Sequence, residues 1–201
     1  MKTLILSLLV VLLAVPPLFG ASTDEVKKIS KEKITKVISL LRDKSLSKEA
    51  RNENILKEVN PLLDFDQMAK LSLGKKHWLG MNPEQRQRFL NLFVERLQES
   101  YLEKLDLYTD EDVVVEDAVQ VKSRIHVTTQ LVTKDDKKEM IYKFYQTKTS
   151  GWMVYDVEIL GVSVVQTYRS QFEGLLKDTD YEGLLARLGT KGGIVISTDR
   201  K

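Results

Sequence analysis

Residues 151–172 read GWMVYDVEILGVSVVQTYRSQF, and the change of period inside this stretch decides the fold class. Trp152 to Ile159 is rich in β-branched and aromatic groups and follows the polar turn Lys148-Thr149-Ser150-Gly151, which marks a strand. After Gly161 the apolar residues Val164, Val165, Tyr168 and Phe172 fall at helical spacing, so the chain resumes a helix.

Upstream of this stretch the period is also two. Val119, Val121, Ile125, Val127 and Leu131 alternate with Gln120, Lys122, Arg124, His126 and Gln130, and Met140, Tyr142 and Phe144 share a face of the next strand. The polar turn at Lys134 to Lys137 joins them. Alternating strands linked by polar turns predict an antiparallel meander with one wet face, whose other face the preceding helices must cover.

Those helices are signalled by periodicity and caps. From Asp24, the residues Val26, Ile29, Ile34, Val37, Ile38 and Leu41 oppose a Lys-rich face. Ser47 caps a second helix that runs to Val59 and stops at Pro61. Asp64-Phe65-Asp66-Gln67 reads as a capping box for a short helix ending at Gly74, and His77 beside Trp78 reads as loop. Asn82-Pro83-Glu84-Gln85 opens a long helix to about Leu105 that aligns Phe89, Phe93, Leu97, Tyr101 and Leu105. A last helix runs from Asp180 to Leu188, and 191–201 reads as a flexible tail.

The N-terminus has the layout of a secretory signal over 1–22: Met1-Lys2, the apolar run Leu4 to Val15, Pro16-Pro17, and small residues before Thr23. The run is too short for a bilayer, which needs about 20 residues. Residues 23–190 then form a single domain. The chain contains no cysteine, so thiolate chemistry, thiolate metal sites and disulfides are excluded. A net charge of +2 with 30% charged residues is unlike the concentrated basic footprint of a nucleic-acid binder.

Catalytic groupings are sparse. No phosphate loop, nucleophile elbow or histidine pair at metal-ligand spacing is present. His126 lies on a polar strand face, where a solvated or hydrogen-bonded role is expected. Asp156, set among apolar neighbours, is either a base or the partner of an arginine such as Arg169. Periodicity does not distinguish a filled core from a hollow one, and the aromatic stripe of the long helix suits either.

The stretch from Gly151 to Phe172 resembles the MlaC-type phospholipid carriers, also called the toluene-tolerance family. Phe65-Asp66-Gln67-Met68-Ala69, Leu73-Gly74, Trp78, Pro83 to Phe89 and Gly183 to Leu188 resemble further segments of that family, in its order. The segment Ser45 to Asn54, the turn Lys134 to Lys137 and the tail have no counterpart in it. The resemblance implies an α+β fold like that of nuclear transport factor 2: a curved antiparallel sheet against several helices, enclosing an apolar pocket. It implies a periplasmic, non-enzymatic carrier with phospholipid as cargo and no cofactor or metal. Its implied partners are an inner-membrane ABC transporter with an MCE-domain subunit and an outer-membrane lipoprotein–porin complex, which together maintain outer-membrane lipid asymmetry.

On this reading the lipid-binding walls are Phe89, Phe93, Leu97 and Tyr101 from the long helix and Tyr142, Phe144, Trp152, Val154, Val157 and Ile159 from the sheet. Val162, Val165 and Tyr168 would guard the junction with the last helices. Three other readings stand beside it. One is an enzyme on the same fold with Asp156 as base and Tyr155 or Tyr142 as donor. The others are an envelope interaction module with an apolar groove, and a carrier of hopanoids.

Overall fold

The computed structural model describes residues 19–108, 111–133 and 136–190. Most of the expected signal, the turn residues Lys134 and Asp135 and the tail from Lys191 lie outside them. Within them the fold is α+β. The helices are α1 (Phe19–Arg42), α2 (Lys48–Val59), α3 (Phe65–Leu73), α4 (Lys75–Gly80), α5 (Pro83–Leu105), α6 (Val164–Asp178) and α7 (Tyr181–Leu188). The strands are β1 (Asp112–Val121), β2 (Arg124–Val132), β3 (Lys137–Gln146), β4 (Trp152–Ile159) and β5 (Val162–Ser163), antiparallel and in sequence order.

Local chemistry sets most boundaries. The Asn82 side chain accepts from Gln85 N–H while the Gln85 side chain accepts from Asn82 N–H, a complete capping box over Pro83. Only half of the expected box forms at α3. Asp64 accepts from Gln67 N–H at 2.9 Å, but its own N–H donates to Val154 O, where Leu63 bridges the free edge of β4. A tertiary hydrogen bond has taken the donor that the box requires. Ser47, Ser163 and Asp180 cap α2, α6 and α7.

Two departures from expectation come from spacing too short for the eye. His77 lies in helix α4, which starts directly after Gly74 at φ 80° and ψ 151°, a conformation suited to glycine. The strand β5 lies after a two-residue turn, Leu160-Gly161, with φ of 50° and 76°. Both values are positive, as a tight hairpin turn requires.

Pairing registers put three rows of side chains on the inner face of the sheet: Gln120–Ile125–Phe144–Val154, Ala118–Val127–Tyr142–Val157 and Val115–Thr129–Met140–Ile159. A bulge between Val115 and Ala118 reverses the parity of β1. Val119 and Val121 therefore point outward, 55% and 40% exposed, although their alternation with Gln120 and Lys122 predicted the face of Ile125 and Val127. A second irregularity, opposite Lys143 and Phe144, leaves Tyr155 unpaired and explains why the inward Val154 and Val157 are three apart.

Candidate functional site: an apolar sheet face and the helices against it

The buried apolar residues divide into two clusters. In the sheet cluster, Val26 of α1 is sealed against Ile125, Val127, Phe144 and Val154, with Tyr142, Trp152, Leu62 and Ala118 partly buried around them. The helical cluster joins α3, α5, α6 and α7 around Phe89, Phe93, Tyr168 and Phe172. Leu63 and Val157 border both clusters and so connect them.

Eleven of the thirteen expected wall residues are thus distributed over two clusters, and Tyr101 and Val162 belong to neither. Phe89, Phe93, Leu97, Val165 and Tyr168 are buried in the helical one, where Val157 and Ile159 pack against it. Phe144, Val154, Tyr142 and Trp152 belong to the sheet cluster. Val162 is half-buried on β5, paired with Ile159. Tyr101 is half-buried and donates its hydroxyl to Asn60 Oδ1 at 3.2 Å. Burial pushes the Tyr142, Tyr101 and Tyr168 phenols above their ordinary values, so all three stay neutral across physiological pH.

Around Phe93 the space is filled. Its ring lies 6.0 Å from Phe89, 5.1 Å from Tyr168 and 6.5 Å from Phe172, centroid to centroid, in stacked and edge contacts. The α5 stripe is therefore core here. The sheet face is covered differently. Among the described side chains of α1, only Val26, Ser30 and Leu40 are buried, and exposed or half-exposed ion pairs tether the helix: Lys27–Asp117, Lys33–Glu58 and Arg42–Asp112. Such pairs are worth about 0–1 kcal/mol each. The seam between α1 and the sheet lies over Ile125 and Val127, where Val26 packs.

Apart from Ile159, the residues named from sequence on β3 and β4 share the buried sheet cluster with Ile125, Val127 and Val26, which were not named. The alternation of β2 carried the signal for the first two. Val26 was legible as part of the apolar face of α1, but that this face meets the sheet is a tertiary matter. Two polar atoms at one end of the inner face are buried without a hydrogen-bond partner, Gln120 Oε1 and Trp152 Nε1.

The outer face holds the titratable groups. Lys143 Nζ sits 3.0 Å from Asp156 and 2.8 Å from Glu158. Asp156 also accepts from Ser163 Oγ at 2.8 Å and from Val165 N–H at 3.1 Å, at the start of α6. Its cation is Lys143, not Arg169, which bonds Glu173 one turn along its own helix. Sequence separation hid the true pair, which the β3–β4 register creates. Burial alone would lower the Lys143 ammonium, but hydrogen bonds to Glu158 and Asp156 outweigh it and hold the pKa above the ordinary value.

His126, beside Lys143 in the same row, is half-buried, and its Nε2 has no hydrogen-bond partner. Burial first, then the Lys143 charge, pushes its pKa down. Asp156 and Tyr142 lie on opposite faces of the sheet, so they do not converge on one substrate. Tyr155 shares the outer face, but its hydroxyl accepts from Arg124 at 3.0 Å. No group of three or more acidic or histidine side chains among the described residues could hold a metal ion. No described helix is long and apolar enough to cross a membrane.

A sequence model of the MlaC protein family matches residues 31–190. The chain belongs to the MlaC family. The fold agrees with that of a phospholipid-binding protein from Ralstonia solanacearum solved in complex with a phospholipid. The two superpose with a TM-score of 0.71 at 19% identity, over 81% of this chain and 93% of the other.

Proposed function

We propose that the chain is a periplasmic phospholipid carrier that holds acyl chains against the inner face of its sheet and leaves the headgroup in water. The observation that carries this reading is the MlaC match over residues 31–190 on a fold whose inner sheet face from Ile125 to Ile159 is apolar apart from Thr129 and the Tyr142 hydroxyl. Each tail methylene kept from water is worth about 0.8 kcal/mol, so a 16-carbon chain amounts to roughly 12 kcal/mol. A surface of that apolarity removes most of the cost of carrying a lipid between membranes, and no reactive group is needed.

The tails take the seam between α1 and the sheet, because the aromatic cluster around Phe93 is already filled. Loading therefore moves α1 rather than α5. The delivery points are those of the family reading: an outer-membrane lipoprotein–porin complex and an inner-membrane ABC transporter with an MCE-domain subunit. The cellular role is maintenance of outer-membrane lipid asymmetry.

The test is to express the chain in a bacterium, purify it from the periplasm without detergent, weigh it by native mass spectrometry and extract its lipids. A mass excess matching phospholipid, reduced in a folded Trp152→Asp variant, is expected. A bare mass that persists after incubation with liposomes would overturn the carrier reading and favour an interaction module.

A further inference from the structure

Between the α3–α4 junction and α6 a cleft of about 370 Å³ opens to solvent. Lys76 and His77 line it from α4, and Arg169, Glu173 and Lys177 from α6, with Gly74 at its base. A side chain at Gly74 would reach 3.3 Å from the Arg169 guanidinium, so the glycine is what lets that cation lie against the backbone. Glu173 is the one carboxylate in the lining, and Arg169 engages it at 3.1 Å. Lys76 and Lys177 are left without an acidic partner among the described residues, as is exposed Lys75 beside them.

Apolar groups stand next to these cations. Leu79 is 61% exposed, and it follows Lys75 by four residues and Lys76 by three, so the three share one side of α4. Trp78 is half-buried, with Lys70 Nζ 5.4 Å and the Arg86 guanidinium carbon 5.9 Å from its ring centroid. Arg86 also donates to the Trp78 and Leu79 carbonyls, at 2.8 and 3.2 Å, which fixes α4 rigidly on α5.

Lys70 is paired with Asp66, but exposed Leu79 stands beside lysines without an acidic partner, and such a group is suited to a surface that is negative outside and apolar just beneath. We propose that α4 and the facing side of α6 dock the protein on an anionic lipid bilayer. Leu79 enters the headgroup region, and Lys75, Lys76 and Lys177 meet the lipid phosphates. The other basic concavity, on α1, is different in kind. There Lys28, Lys31 and Lys36 are interleaved with Glu32, and no large apolar group is among its lining residues. The docking surface is separate from the sheet face and does not depend on the carrier reading.

Flotation of the protein with vesicles of phosphatidylcholine, with and without phosphatidylglycerol, tests this. The readout is the increment due to the anionic lipid, because the apolar run Leu4 to Val15, where retained, favours either vesicle. The increment is expected to shrink with added salt, and affinity is expected to fall about fivefold for each lysine removed. The pair Lys76→Glu with Lys177→Glu is expected to abolish it, while Lys31→Glu with Lys36→Glu retains it. Leu79→Ser weakens the binding that survives salt. Should the reversed pair not fold, Lys76→Gln with Lys177→Gln provides the same comparison at smaller amplitude. An increment that is absent in the parent, or that is lost with the α1 pair and kept in the cleft pair, overturns the proposal. So does binding to an acidic protein but not to the vesicle. Native mass spectrometry of the same variants keeps the two ideas apart, since bound lipid is expected to persist in all of them.

Discussion

Replacing Asp156 by alanine is the most demanding test of the outer-face network. The side chain is buried and serves three donors: Lys143 Nζ at 3.0 Å, Ser163 Oγ at 2.8 Å and Val165 N–H at 3.1 Å. Alanine strands Val165 N–H inside the protein, at about 1–3 kcal/mol. It also removes a carboxylate from the positive end of α6, about 0.3–1 kcal/mol. Lys143 keeps Glu158 at 2.8 Å, so its loss is limited to about 1 kcal/mol. The total is about 2–5 kcal/mol, which overlaps the usual cost of breaking a buried pair. For a domain of this size that shifts Tm by roughly 10 °C.

Asp156→Asn keeps an acceptor for Val165 N–H and loses the charge, so about half the effect is expected. Urea unfolding followed by tryptophan fluorescence, with an unchanged m value, measures both variants. Were Asp156→Ala within about 1 kcal/mol of the parent, the network would not be a structural keystone and the reasoning would fail. Bound phospholipid is expected to be unaffected in Asp156→Asn, whereas an enzyme using this carboxylate as base would lose its activity.

Three further outcomes are expected. The His126 pKa is depressed in the folded chain by burial and Lys143, with Arg124 adding to this and Glu158 and Asp156 opposing it. The unfolded chain therefore takes the proton first as pH falls, stability drops below about pH 6.5, and His126→Gln flattens that part of the profile of unfolding free energy against pH. Leu160, 48% exposed at φ 50° before Gly161, pays a left-handed cost that asparagine avoids, so Leu160→Asn is expected to raise stability by about 0.5–1 kcal/mol in denaturant titrations. If tails take the α1 seam, amide exchange in α1 quickens on loading with phospholipid while α5 is unchanged; faster exchange in α5 instead would place the tails in the helical cluster.

Much of the framework was legible in the chain itself. Caps at Asn82, Ser47 and Asp180, the turn before Trp152 and the period-two runs are local, and they place helices and strands where the structure has them. The MlaC likeness of Gly151 to Phe172 is local too, since it rests on consecutive residues. Legibility ended wherever one residue changed parity or a distant donor intervened. The bulge after Val115 turned Val119 and Val121 outward, and the one at Tyr155 set Val154 and Val157 on the same face; composition carries no sign of either, because a bulge is defined by the partner strand. The half-formed box at Asp64 lost its second bond to Val154, 90 residues on by numbering.

The candidate site divides in the same way. That Phe89, Phe93 and Tyr142 fall on faces rich in large apolar groups is a property of their periodicity. That the first two close-pack in a filled helical cluster while α1 lies over Ile125 and Val127 is decided by how the layers meet. So is the basic cleft, where cations a hundred residues apart in sequence stand together. Side-chain period is set by backbone geometry within a few residues, whereas hollow or filled, paired or unpaired, depends on which distant surfaces come into contact, and only the folded chain contains that information.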